Sequence, residues 1–342
     1  MEALRAGYVS FGTQFYKPEN LRAISARAEK QLIERGIELV RTDPVFGEGA
    51  EVDRAIAELK AGEWDFLIAN IINWIEVRAV TRVLLEFRRE PVVLYSFGGF
   101  TEGDTLISPA AGAGSTAIRY PLERWGFKFK YLFNGPDSPM DVDGIIDFGR
   151  AASAAKQLRD SRIGMIGFND MGLYTTDFSV IKLRDVIGPE VESIDMLQLL
   201  RRMEALDAGN VRSEMAAITK KWEYPLGKPK EEVVERVIRM YLATVQICEE
   251  KGFSAFSYKC VDGVDLELDI VHAVPSSLVA SAGYPYVDEN DIGNLVAELM
   301  LKLLSGQEPM FLEHYEHDPE WILLGEDGYA PNAFIDGNPQ IK

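Results

Sequence analysis

Apolar positions along the first half of the chain fall into two alternating rhythms. Short apolar blocks at residues 7–11, 37–41, 65–70 and 92–96 read as strands, and three-and-four spacing over 18–36, 51–62 and 76–89 predicts amphipathic helices between them. A helix over 115–126, a strand over 127–133 and a long helix over 141–159 follow. A second series begins with a strand at 162–167. It continues with a strand at 191–194, helices over 196–206, 211–222 and 231–251, and a buried strand at 253–259. A helix over 276–282, a strand at 284–287, a helix over 289–305 and strands at 310–318 and 321–324 complete it. Repeated βα units of this length imply parallel sheets with helices on both faces. The expected fold class is therefore α/β with two doubly wound domains, residues 1–150 and 151–342, the second carrying an acidic candidate site.

Composition narrows the function classes. The chain of 342 residues carries 36 basic and 54 acidic side chains, a net charge of −18, which opposes nonspecific binding to nucleic acid or anionic lipid. No stretch is uniformly apolar over a membrane span, and the opening residues lack the basic and apolar regions of a signal peptide. Two cysteines, Cys248 and Cys260, give neither a disulfide framework nor a CxxC pair, so a cytoplasmic, reducing setting is expected. Three histidines are few for an all-protein zinc site, and a carboxylate-rich site suits Mg²⁺ or Mn²⁺ better. His314 and His317, at strand spacing, are expected on opposite faces.

Candidate chemistry gathers in four stretches. Asp288-Glu289-Asn290-Asp291 ends a short apolar strand and opens the helix over 289–305, where Asp288 could cap the helix or the carboxylates could hold a ligand. Asp265, Glu267 and Asp269 alternate, and on an extended segment all three point the same way. The loop after the strand at 162–167, with Met171 and Tyr174, leaves a strand at its ligand-binding end. Gly112-x-Gly114-x-x-Ala117 loosely fits a dinucleotide fingerprint and keeps a nucleotide-dependent oxidoreductase in view.

The second half resembles the L-fucose isomerase and L-arabinose isomerase group of sugar isomerases. The residues that carry the resemblance are Ile163-Gly-Met-Ile-Gly-Phe-Asn-Asp-Met171-Gly172, the segment Ile194-Asp195-Met196 with its following Leu and Arg residues, Glu289-Asn290-Asp291 with Asn294, and the turn at Gly325–Pro331. The resemblance implies two Rossmann/flavodoxin-like domains and a small sugar or sugar derivative as substrate. It also implies an aldose–ketose isomerisation through an ene-diol, with Mn²⁺ or another divalent cation chelating the substrate oxygens. On that pattern Asp291 is the second metal ligand. Glu267, 24 positions upstream (291 − 24), is the first ligand and proton-transfer residue. Met171, Tyr174, Lys259, Glu289 and Asn290 would line the sugar site. Fucose isomerases continue into a β-rich C-terminal domain that supplies a metal-binding histidine, and this chain stops before it. Three expectations stay open: a separate subunit completes the site within a homo-oligomer, carboxylates and water hold the metal, or the chain is a non-catalytic sugar-binding or regulatory protein on the same scaffold.

Overall fold

The computed structural model describes residues 3–13, 17–326 and 328–341. They form two compact α/β units that divide between Lys156 and Gln157, inside a helix.

In the first unit, strands β1 (Leu4–Phe11), β2 (Ile37–Arg41), β3 (Phe66–Ile71) and β4 (Val92–Phe97) are connected by α1 (Pro18–Glu34), α2 (Ala50–Lys60) and α3 (Val77–Glu86). A short exposed hairpin, β5 (Phe100–Glu102) and β6 (Thr105–Ile107), precedes α4 (Ala111–Arg124), β7 (Phe129–Asn134) and α5 (Val142–Asp160). The five long strands are parallel in the order β2-β1-β3-β4-β7. Alternate residues feed two cores. Val9, Phe11, Leu67, Ala69, Val92 and Leu94 pack on α2, α3 and α4, and Ala6, Tyr8, Phe66, Ile68, Val93 and Tyr95 pack on α1 and α5. Burial on both faces explains why these strands read as continuous apolar runs.

The Gly-rich passage departs from the fingerprint reading. Gly112 and Gly114 lie inside α4, whereas a dinucleotide fingerprint places its glycines in the turn between strand and helix. A Cβ on Gly114 would lie 2.9 Å from the Asn73 carbonyl oxygen, so this glycine lets α4 pack closely against the end of β3.

The second unit has a smaller parallel sheet ordered β10-β8-β9 from β8 (Arg162–Ile166), β9 (Glu190–Ile194) and β10 (Ala255–Tyr258). The helix α6 (Val180–Val186) joins β8 to β9, and α7 (Met196–Ala205), α8 (Ala208–Ile218) and the long α9 (Glu231–Lys251) lead to β10. The expected strand at 284–287 adds only a single parallel bridge, Tyr286 to Phe256. The segment after β10 is helical rather than extended. A π-helical turn, Cys260–Asp265, runs into the three-residue α10 (Leu266–Leu268), so Asp265, Glu267 and Asp269 do not share a strand face. Then come α11 (Ala273–Ser281), a tight turn at Asp288–Asn290 and α12 (Ile292–Ser305). The cap of α12 is Asp291, not Asp288; its carboxylate accepts from Asn294 N at 3.0 Å and Asn294 Nδ2 at 2.7 Å.

An antiparallel hairpin, β11 (Glu313–His317) and β12 (Ile322–Gly325), closes the unit. Its register shifts between His314 and Glu316, and this bulge turns the two histidines toward each other, His317 Nδ1 lying 3.0 Å from His314 Nε2. The opposite-face expectation fails because the bulge adds a residue between them.

Candidate active site at the switch point of the second sheet

The chain leaves β8 toward β9 on one side of the sheet and later returns to β10 on the other. The carboxyl ends of β8 and β10 therefore flank the point where strand order reverses, the usual ligand crevice of such sheets. Three loops meet there. The Asn290 amide donates to the carbonyls of Ile166, at 3.2 Å, and Phe168, at 2.9 Å, at the end of β8. Its backbone N–H reaches Ser257 Oγ on β10 at 2.9 Å, and Lys259 N donates to Ile166 O at 2.8 Å. Buried Asp170 accepts from Val261 N at 2.8 Å, Asp262 N at 2.9 Å and Met171 N at 3.0 Å, which holds the π-helical turn against the β8 loop. Met171, Glu289 and Asn290 all adopt left-handed backbone, with φ of 46°, 60° and 56°. Such conformations are disfavoured for residues with side chains and cluster at functional sites.

Two carboxylates of the acidic block diverge. Glu289 is half-buried, and burial together with the charges of Glu313, Asp288, Asp170 and Asp291 raises its pKa to about 7. Asp288 points inward and is buried. It accepts from the Tyr286 hydroxyl, and its Oδ1 lies 3.2 Å from His272 Nε2. Rings of Phe256, Tyr258, Tyr286 and Tyr329 pack with centroids 5.0–5.6 Å apart and fix that hydroxyl. On the other side of the imidazole, Nδ1 lies 2.9 Å from both oxygens of Asp265. Burial opposes a charge on His272, but the bonds and charges of Asp288 and Asp265 outweigh it and raise its pKa to about 9. For Asp288 burial likewise opposes charge, and the bonds to His272, Glu326 and Tyr286 hold its pKa below the usual carboxylate value. Cys260 completes the group; burial and the Asp288 charge push its thiol far up.

Among the described residues, Cys260, His272 and Asp288 are the group of three donor side chains close enough to share an ion, with ligand atoms within 4.8 Å of one another. That triad can hold a metal ion. Neither expected ligand belongs to it: Glu267 is exposed on α10, and Asp291 is committed to the cap of α12. Mn²⁺, a hard ion, suits the carboxylate of this triad better than its thiol. Of the other expected site residues, Glu289, Asn290 and Lys259 meet at the crevice. Lys259 Nζ lies 3.6 Å from Asp262. Met171 is bonded through its N–H to Asp170 and Asp262 with its side chain exposed, and Tyr174 is 91% exposed. Sequence reasoning missed the roles of Asp170, Asp265, His272 and Asp288. The nearest signal is the alternation of carboxylates at Asp265, Glu267 and Asp269, a strand-like pattern on a segment that is helical.

No helix among the described residues is long and apolar enough to cross a membrane. No family model matches the chain. It is similar to a sulfoquinovose isomerase of Alkalicoccus urumqiensis, with 22% identity over 228 residues. That alignment covers 66% of this chain and 51% of the relative, so the chain spans about half the length of the curated relative it matches.

Proposed function

We propose that the protein is a sugar isomerase that moves a proton between adjacent carbons of a small aldose or ketose through an ene-diolate, with Glu289 as the proton-transfer residue. The observation that carries this reading is the position of Glu289. It is a half-buried carboxyl on left-handed backbone, beside the carboxyl ends of β8 and β10, with the neighbouring Asn290 locked to both strands. A carboxyl so placed can take a proton from one carbon and return it to the next. Lys259, on the loop leaving β10, is the cation we assign to the developing ene-diolate oxygen. Met171 and Tyr174, exposed on the facing loop, offer apolar surface to the sugar. The relative's name supports the reaction class, and we take no substrate from it. The manganese chelation by Glu267 and Asp291 that the family resemblance implies has no part in this proposal.

The test is incubation of the full chain with a panel of aldoses and ketoses in D₂O, read by NMR. The expected result is interconversion with deuterium entering at the carbon beside the carbonyl. Glu289→Gln should slow that exchange by roughly 10²–10⁴-fold, the usual range for a general acid–base group. Exchange by Glu289→Gln at the wild-type rate refutes the assignment, and the absence of exchange with every sugar refutes the reaction.

A further inference from the structure

We propose that Cys260, His272 and Asp288 form a buried zinc site that ties together the three segments under the crevice. The inference is independent of the sugar-isomerase reading. Each donor comes from a different place: Cys260 from the turn after β10, His272 from the start of α11 and Asp288 from the turn before α12. All three side chains are buried, with relative exposures of 0%, 2% and 7%.

Thiolate, imidazole and carboxylate are the donors zinc takes. Bond lengths of about 2.0–2.1 Å to nitrogen and oxygen put two tetrahedral ligands roughly 3.3 Å apart, and His272 Nε2 lies 3.2 Å from Asp288 Oδ1. The surroundings orient the donors as outer partners of a metal do. Asp265 clasps His272 Nδ1 with both oxygens at 2.9 Å and accepts His272 N at 2.9 Å, which aims Nε2 at the other two donors. Cys260 Sγ accepts the Glu289 backbone N–H at 3.1 Å, a contact that favours a thiolate. The Tyr286 hydroxyl donates to Asp288 and fixes that carboxylate. The Cys260 thiol donates to Asp170 Oδ2 at 3.4 Å. Zinc takes cysteine as thiolate and histidine as neutral imidazole, so binding at these donors releases protons. The three protein donors fill three positions of a tetrahedral zinc and leave the fourth to a water or other small ligand.

The full chain, stripped with a chelator, is titrated with Co²⁺ and then Zn²⁺. The expected result is uptake of one equivalent of Co²⁺ with a thiolate-to-cobalt band in the near ultraviolet, displaced by Zn²⁺. Cys248→Ala should keep the band, Cys260→Ala should lose it, and Asp265→Asn should weaken affinity by roughly 10–100-fold. If Cys260→Ala fails to fold, Cys248→Ala still decides. The chain has two cysteines, so a thiolate band that survives loss of one comes from the other. No uptake, uptake without the thiolate band, a band lost with Cys248, a band kept in folded Cys260→Ala, or unchanged affinity in Asp265→Asn overturns the site.

Discussion

Glu298 offers a sharp test of the electrostatics of the second unit. It lies on the inner face of α12 at 5% relative exposure, and neither carboxylate oxygen has a hydrogen-bond partner among the described residues. Burial, with a smaller push from Glu308, raises its pKa from 4.5 to about 8. Glu308 is itself paired with Lys302 at 3.1 Å, and Tyr329, whose hydroxyl is also pushed up, is the other titratable group facing Glu298. In the unfolded chain Glu298 loses its proton near 4.5, while the folded chain keeps it until about pH 8. Between those values the folded state binds one more proton than the unfolded state. Stability is therefore fully present below pH 4.5 and is lost as pH rises through 8, at about 1.4 kcal/mol per pH unit. From pH 5 to pH 7 the loss is about 2.7 kcal/mol. Glutamine fills nearly the same volume and never charges, so Glu298→Gln should be close to neutral at pH 5 and stabilising by about 2–3 kcal/mol at pH 7. Hydrogen exchange of the α12 peptide is the appropriate readout, because it reports opening around α12 itself. The wild-type and Glu298→Gln free energies are compared at each pH, which cancels the titration of other groups. A difference that stays flat from pH 5 to pH 8 refutes the reasoning.

Other substitutions probe the scaffold around the crevice. Asp170→Ala removes the acceptor of three backbone N–H groups and should destabilise the second unit by about 1–3 kcal/mol, with the largest gain in hydrogen exchange over residues 260–265. Gly114→Ala gains helix propensity of about 0.5–1 kcal/mol but forces Cβ to 2.9 Å from the Asn73 carbonyl. Overpacking of that kind costs about 1–3 kcal/mol, so thermal unfolding of the first unit should move down. Glu267→Ala should leave sugar exchange and metal uptake unchanged, whereas Asp291→Ala should cost about 1 kcal/mol through loss of the α12 cap, measured by urea denaturation.

Much of the scaffold was legible. Strands such as β3 and β4, buried on both faces, announce themselves as apolar runs, and helices such as α9 announce themselves by their period. The failures share a cause, which is that a distant residue decides a local conformation. The segment after Cys260 alternates like a strand, but Asp170, 91 positions away from Val261, binds its first N–H groups and sets it into a π-helical turn. The His314–His317 contact likewise depends on a bulge, which periodicity does not encode.

The acidic block shows the same effect at the scale of one residue. In a regular helix or strand, sequence spacing says which side chains share a face; at a helix start Asp288 reads as a cap, and Asp291 reads as a ligand only through the family resemblance. The turn at Asp288–Asn290 is neither. Left-handed backbone at Glu289 and Asn290 reverses the chain's inward and outward directions within two positions. Asp288 is carried inward to His272, Glu289 is left half-buried with its backbone N–H on the Cys260 sulfur, Asn290 is carried onto the ends of β8 and β10, and Asp291 to the start of α12. Four adjacent polar residues thus take four environments. The carboxylate that meets His272 and Cys260 is the one whose local sequence gave the strongest argument for a merely capping role.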